Sequence, residues 1–210
     1  MAIKSIPKGE QLFQHLTRTT LNKAQNTGLP VFHFSDKDQV GATFGERFTN
    51  AIAYVFDKGF SSIITIGNDT PHLKTQHLKH TAKQLSLGKT VIGPSNDGGF
   101  YLLGLQKSNF DVSGFHNLPW QRFSLYHQIS LWLRKESSEL IKLPVLQDLD
   151  NEKDLQTILS FSRSLSSILL LLIIRLLRIK RSLNYTNQNF LCLFPDRFMF
   201  NKGSPEVLFV

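Results

Sequence analysis

The sequence is poor in cysteine and lacks several nucleotide-binding and nucleophile signatures. Cys192 is its single cysteine among 210 residues. One thiol excludes an internal disulfide and any metal cluster built from the cysteines of one chain, and it fits a reducing compartment, so we expect a cytoplasmic protein. There is no P-loop, no Gly-x-Gly-x-x-Gly and no nucleophile elbow built around serine. The first residues also lack the apolar core of a signal peptide.

Long apolar runs are scarce as well. The longest uninterrupted apolar stretch, residues 168–174, ends at Arg175. It is far shorter than the roughly 20 residues that a membrane-spanning helix needs. We therefore expect a helix that either docks on the protein or lies on a membrane surface through residues 165–181, with the basic residues 178–181 at the headgroups.

Basic residues exceed acidic ones, with 24 against 16 and a net charge of +8. Residues 151–210 carry eight basic and four acidic groups, so the excess is denser there. A basic balance suits nucleic acid, acidic lipid or phosphate-bearing small molecules. Because no nucleic-acid module and no aromatic-basic ladder is recognisable, we expect no nucleic-acid partner.

Helical and strand patterns alternate along most of the chain. The apolar spacing predicts helices over residues 10–26, 44–58, 73–85 and 124–139 and another from residue 152, and strands over residues 29–34, 61–66, 89–92, 100–105 and 140–145. This order favours an α/β fold with a parallel sheet covered by helices. We place one domain at residues 1–160 and a C-terminal extension at 161–210, which holds the apolar helix, the basic cluster and an irregular aromatic stretch over residues 190–210.

Ligands of such sheets bind beyond the carboxyl ends of the strands. Two glycine-bearing polar loops, residues 67–71 and 93–99, follow predicted strands, so we expect them to meet at one rim. Asp97 stands beside Gly98 and Gly99, where a backbone without side chains lets a ligand approach closely. The alternative is a β-hairpin with an Asp-Gly turn.

Other carboxylates at strand ends are candidate metal ligands. Asp69 follows a buried strand and could hold a divalent cation against phosphates, or it could cap the next helix. Asp148 and Asp150 would point the same way on an extended segment and could share a cation. Alternatively, one of them caps the following helix and the other is solvated.

A third group precedes and begins the second predicted helix. Gln39 and Gly41 lead into it, and its N-terminus with Arg47 could bind an anion. The alternative is an ordinary capped loop with Arg47 on a solvated face. Trp120 could line a pocket, although an aromatic residue at such a position is more often part of the core.

Several of these segments occur together in one known family. Residues 67–73 (GNDTPHL), 93–105 (GPSNDGGFYLLGL), 118–120 (LPW) and 144–150 (PVLQDLD), with Gln39-x-Gly41 and residues 44–47 (FGER), resemble an uncharacterised bacterial family of the GT-A glycosyltransferase superfamily. That family is similar to the guanylyltransferases of molybdenum-cofactor and 2-phospholactate metabolism. The similarity extends from about residue 10 to about residue 155.

The resemblance implies a Rossmann-like, three-layer GT-A fold, a nucleotide or nucleotide-sugar substrate, and Mg²⁺ or Mn²⁺. Asp69 falls on the metal-binding position, with Asn68 beside it among the substrate contacts. Asp148 and Asp150 fall on the Asp-x-Asp before the last helix and are further metal candidates. Asp97 with Gly98 and Gly99 falls on the acceptor or sugar side, which makes Asp97 the candidate catalytic residue.

We also predict substrate contacts from Gln39, Gly41, Arg47 and Trp120. Two features depart from the family. Its usual first strand and basic, glycine-containing loop have no counterpart here, or this chain is part of a longer protein, and Asn96 stands where an acidic residue is common. The function that follows is a metal-dependent, glycosyltransferase-like enzyme using a nucleotide-activated donor. The alternatives are a nucleotidyltransferase and a catalytically inactive binding protein of the same fold.

Overall fold

A computed structural model describes residues 8–135, 139–160, 165–186 and 207–209 of the chain. The helices are α1 (Lys8–Gln25), α2 (Phe44–Asp57), α3 (Thr75–Ser86), α4 (Val112–His116), α5 (Leu125–Lys135), α6 (Glu152–Ser160) and α7 (Ser167–Thr186). The strands are β1 (Phe32–Phe34), β2 (Ser62–Ile66), β3 (Thr90–Pro94), β4 (Phe100–Gln106), β5 (Leu140–Lys142) and β6 (Val207–Phe209). Most elements lie within a few residues of the ranges that the apolar spacing predicts.

The described strands form one sheet of six in the order β1-β6-β2-β4-β3-β5. β3 and β5 are parallel, whereas β4 is antiparallel to both β2 and β3, and β6 is antiparallel to β1 and β2. β1, β2, β3 and β5 therefore run parallel to one another, as the alternation of strands and helices predicts, whereas β4 and β6 run antiparallel to them. The short turn between β3 and β4 leaves no room for a crossover helix, so the chain must reverse there as a hairpin.

Helices cover both faces of this sheet, which makes three layers. One face packs against α2, α4 and α5 through an apolar cluster that includes Ile52, Phe115 and Ile129. The opposite face packs against α3 and the end of α1 through Leu78 and Ala24. β2 is buried from its second residue to its last, as expected for a strand covered on both faces.

A third apolar cluster lies beside the sheet and joins α1, α6 and α7. It contains Leu12 and Leu16 of α1, Ile173 of α7, and Leu149 from the segment before α6. The apolar stretch predicted as a helix is thus helical and packs on the rest of the chain. None of the described helices combines the length and the apolar character that crossing a bilayer demands.

The irregular character predicted for residues 190–210 is wrong at residues 207–209, which form β6. This strand pairs with Phe32–Phe34 on one side and with Thr65 and Ile66 on the other. The remainder of that stretch lies outside the described residues. No turn or periodic signal marks a strand this short, which its two neighbours stabilise by hydrogen bonds across long sequence separations.

Hydrogen bonds join α1 to the loop that follows β2 and to the start of α3. The ammonium of Lys23 donates to the carbonyl of Pro71 at 2.9 Å, and the hydroxyl of Thr75 donates to the carbonyl of Lys23 at 3.2 Å. Farther along α1, the amide of Asn68 donates to the hydroxyl of Thr17 at 2.9 Å. Burial of the Lys23 amine lowers its pKa from 10.5 to about 8.

Because of Lys23, the free energy of unfolding is expected to change with pH in the alkaline range. Between about pH 8 and pH 10.5 the unfolded chain binds a proton that the native chain does not, so the free energy of unfolding contributed by this group rises with pH. We expect Lys23→Met to remove that rise, measured by urea denaturation across the window. Lys79→Met, which removes an exposed lysine of α3, serves as the control. Identical pH profiles for the parent and Lys23→Met would contradict the prediction.

Candidate functional site

Three loops meet at the carboxyl edge of the sheet. The chain leaving β5 runs beside the end of β3, where Leu146 N–H donates to the carbonyl of Pro94 at 3.2 Å. It then reaches the loop after β2, where Leu149 N–H donates to the carbonyl of Asp69 at 3.0 Å. Because β4 lies between β2 and β3, this segment spans the width of β4. The loops after β2, β3 and β5 are thereby brought to one rim.

Asp97, Asp148 and Asp150 form a carboxylate trio at this rim. One carboxylate oxygen from each lies within 4.8 Å of the others. Leu149 is fully buried in the third apolar cluster, so its two neighbours project away from that cluster together. Oxygens bound to one octahedral Mg²⁺ lie about 3 to 4.2 Å apart, as follows from Mg–O distances of about 2.1 Å. Side-chain rotations that bring these oxygens closer together would let the trio share a cation.

The carboxylate of Asp97 is held by its own turn. Its Oδ1 accepts a hydrogen bond from the hydroxyl of Ser95 at 2.5 Å and another from Gly99 N–H at 2.8 Å. The turn closes through Ser95 N–H, which donates to the carbonyl of Gly99 at 3.1 Å. Two donors on one oxygen fix the orientation of the side chain and stabilise its negative charge, which suits a metal ligand.

A fourth carboxylate, Asp154 of α6, positions the segment that carries Asp150. Its Oδ2 accepts from the backbone N–H groups of Asp150 and Asn151 at 2.9 and 2.8 Å, and its Oδ1 accepts from the amide of Gln147 at 2.9 Å. Burial raises the pKa of Asp154, hydrogen bonding to Asn151 opposes that rise, and the nearby charge of Asp97 adds to it. Asp154 is thus a positioning residue at the edge of the trio.

The N-cap of α6 is Asn151. Its side-chain oxygen accepts from Lys153 N–H at 2.9 Å and from Asp154 N–H at 3.3 Å. Asn151, rather than Asp148 or Asp150, therefore caps α6. Asn96, the residue found where the resembled family often has an acid, donates its amide to Gln147 at 2.7 Å and belongs to the same network.

Asp69 and Asn68, two further residues predicted for this site, differ in their contacts. Asp69 lies at the same rim through its bond to Leu149, but the trio does not include its carboxylate, and the hydroxyl of Thr70 contacts its Oδ1 at 3.5 Å. Asn68 is 8% exposed and binds α1 through its amide. The structure therefore shows Asn68 in a structural contact.

Gly98 brings the segment before α5 against the Asp97 turn. Its φ is +85°, and a Cβ atom there would lie 2.1 Å from the carbonyl oxygen of Phe123. Its own carbonyl accepts from Tyr126 N–H at 2.8 Å. Only glycine fits both the backbone conformation and this close approach.

Gln39 and Gly41 lie elsewhere, beyond the end of β1. Gln39 lines a cavity of about 480 Å³ with Phe34, Asn50 and Tyr54. β1 and β3 are separated by three intervening strands, which at about 4.8 Å per step places this cavity about 19 Å along the sheet from the end of β3. The structure therefore does not group Gln39 and Gly41 with the carboxylate trio.

The N-terminus of α2 already holds a carboxylate of the chain itself. Glu46 accepts from the N–H groups of Ala42 and Thr43 at 2.7 and 3.3 Å, and Thr43 caps Glu46 N–H in return at 3.1 Å. The two backbone bonds lower the pKa of Glu46. Arg47 follows, half-buried, with no hydrogen-bond partner for its Nε among the described residues. This geometry matches the capped loop of the alternative, but Arg47 is half-buried rather than on a solvated face.

Trp120 is part of an aromatic cluster. Its ring lies 5.0 Å from that of Phe48 and 6.2 Å from that of Phe100, and its Nε1 donates to the carbonyl of Phe115 at 2.7 Å. A Cβ on Gly45 would lie 2.3 Å from this ring. Trp120 therefore anchors the segment that reaches Gly98, as its core alternative requires.

Comparison with known proteins gives the class of this fold. A crystal structure from Desulfovibrio desulfuricans G20, of a protein provisionally named a nucleotide-diphospho-sugar transferase, matches with a TM-score of 0.67 and 25% identity. The match covers 80% of this chain and 86% of that one. The chain thus has the fold of a nucleotide-diphospho-sugar transferase, as the resemblance implies.

A family model matches residues 14–122, just over half of the chain. This chain belongs to DUF2064, a family of uncharacterised proteins conserved in bacteria. The comparison with curated proteins finds no significant match.

The close approach at Gly98 predicts a specific sensitivity to substitution. Gly98→Ala would be destabilised twice, by the left-handed backbone conformation and by a clash with Phe123. Gly88→Ala would be destabilised by the backbone conformation alone, because Gly88 has φ +76° and no atom within 4 Å of an added Cβ. We expect Gly88→Ala to lower the free energy of unfolding by about 1–2 kcal/mol. Gly98→Ala should lower it by roughly 1–3 kcal/mol more, measured by urea denaturation. Equal losses in the two variants would contradict the prediction.

Proposed function

We propose that this protein is a metal-dependent transferase that uses a nucleotide-activated donor, and that its cation binds to Asp97, Asp148 and Asp150. The proposal rests chiefly on the convergence of these three carboxylates at the carboxyl edge of a nucleotide-diphospho-sugar transferase fold. Carboxylate oxygens are the ligands that Mg²⁺ and Mn²⁺ prefer. This assignment makes Asp97 a metal ligand rather than a catalytic base.

The electrostatics of the trio support a bound cation. Two carboxylates less than 5 Å apart repel each other by about 3–4 kcal/mol at the effective dielectric constant of a protein surface. A divalent cation would replace this repulsion by attraction. It would also hold the donor's diphosphate and stabilise the charge that develops on the leaving phosphate.

Gly98 and Gly99 flank Asp97 and leave backbone space for the transferred group or its acceptor. Asp69, in the adjoining loop, stays a predicted ligand of the same cation. Gln39, Gly41, Arg47, Asn68 and Trp120 stay predicted substrate contacts. Of these, Gln39, Asn68 and Trp120 also make hydrogen bonds within the described chain. The loops around the trio are fixed by backbone bonds, which favours a preorganised site.

The metal proposal predicts cation-dependent nucleotide binding. We expect the parent to bind at least one member of a panel of nucleoside diphosphates, nucleotide sugars and nucleoside triphosphates by calorimetry when Mn²⁺ or Mg²⁺ is present. Asp148→Asn should weaken that binding by more than the roughly 10–100-fold typical for loss of an outer-shell partner. Asp57→Asn, at an exposed position that ends α2, is the matched control.

Two outcomes would contradict this function. One is a parent that binds no panel member with either cation. The other is unchanged binding in Asp148→Asn. Asp69→Asn in the same assay decides whether Asp69 supplies a ligand, because an outer neighbour would lower the affinity far less than a direct ligand.

The products distinguish the kind of transfer. Glycosyl transfer breaks the bond between the sugar's anomeric carbon and the diphosphate and releases a nucleoside diphosphate. Nucleotidyl transfer breaks the bond between the α- and β-phosphates and releases pyrophosphate. Cation-dependent release of a nucleoside diphosphate from a nucleotide sugar would support the glycosyltransferase-like function. Tight binding without either product would support the catalytically inactive alternative.

A further inference from the structure

We propose that the outward face of α7 docks on an anionic membrane surface. α7 is apolar on two sides. Leu169 and Ile173 are 4% and 0% exposed and pack into the third apolar cluster, whereas Ile168 and Leu171 are 54% and 67% exposed. Apolar residues all around a helix are expected only when both sides are covered. The chain described here covers one side.

The sequence of α7 points to the partner that covers the other side. Ile168 and Leu171 are exposed in its first half, Arg175 is exposed one heptad after Ile168, and the sequence continues with the basic residues Arg178, Lys180 and Arg181. A stripe of apolar residues followed by arginines suits the boundary between acyl chains and headgroups. We define the α7 outer face by the exposed residues Ile168, Leu171 and Arg175.

Charge favours an acidic surface in particular. Residues 155–195 contain no Asp or Glu and five basic residues, four of which lie in α7. Each basic residue held near an anionic leaflet contributes about 1 kcal/mol to binding. A second copy of the chain is a weaker candidate, because it would bring an identical positive face into contact with this one.

α7 shares the third apolar cluster with Leu149, which stands between Asp148 and Asp150. The proposal itself stands apart from the proposed activity, since it needs neither a cation nor a nucleotide.

Cosedimentation with vesicles tests the proposal on the full chain. We expect the parent to bind vesicles of phosphatidylcholine with phosphatidylglycerol, to release them at high salt, and not to bind vesicles of phosphatidylcholine alone. Arg175→Glu with Arg178→Glu should lower the partition coefficient at least about 25-fold, since about 1 kcal/mol corresponds to about fivefold. Leu171→Asp should also lower it several-fold.

Matched control variants distinguish the effect of the α7 outer face on vesicle binding from the effects of net charge and of misfolding. Lys79→Glu with Lys83→Glu makes the same change in net charge on the exposed side of α3, and Leu87→Asp places a charge at another exposed leucine. Both should bind anionic vesicles nearly as well as the parent. A parent that ignores anionic vesicles, or equal losses in the α3 and α7 charge variants, would overturn the proposal. So would a parent dimer in sedimentation velocity that Leu171→Asp dissociates without changing vesicle binding.

Discussion

The hydrogen bond from Leu149 N–H to the carbonyl of Asp69 is the contact on which the site depends. It ties the segment after β5 to the loop after β2, while Leu146 N–H ties the same segment to the end of β3. Without this bridge the carboxylates of residues 148 and 150 would have no fixed relation to the Asp97 turn. Since the bridge is made of backbone groups, it fixes the position of the chain and leaves the side chains to face the rim.

The carboxylates at the rim repel one another, and hydrogen bonds from the surrounding backbone hold them in place. Three carboxylates converge, and a fourth, Asp154, lies partly buried beside them with two backbone donors on one oxygen. Burial and the charge of Asp97 both raise the pKa of Asp154, so the fold retains this group at a cost. Clusters of this kind persist where the surrounding structure over-determines them, which is typical of binding sites.

The sequence predicts the elements well and the site in part. Amphipathic spacing locates most of the helices and strands, and the alternation at residues 148–150 predicts that Asp148 and Asp150 share a direction. It does not predict that Asp97 joins them, because that orientation comes from Ser95 and Gly99 within a tight turn. Nor does it predict β6, whose pairing joins residues more than 140 positions apart. Gln39 and Gly41 belong to the same set of motifs, yet the order of the strands separates them from the rim.

The segment after the family match, which begins at residue 123, contributes to the site. The match ends at residue 122, but Asp148 and Asp150 come later, and the leucine between them is buried by α1, α6 and α7. The matched stretch therefore supplies Asp97 and its turn but only one of the three carboxylates. α7 thus supports the site from behind, since loosening its inner face would free Leu149 and with it the spacing of the trio.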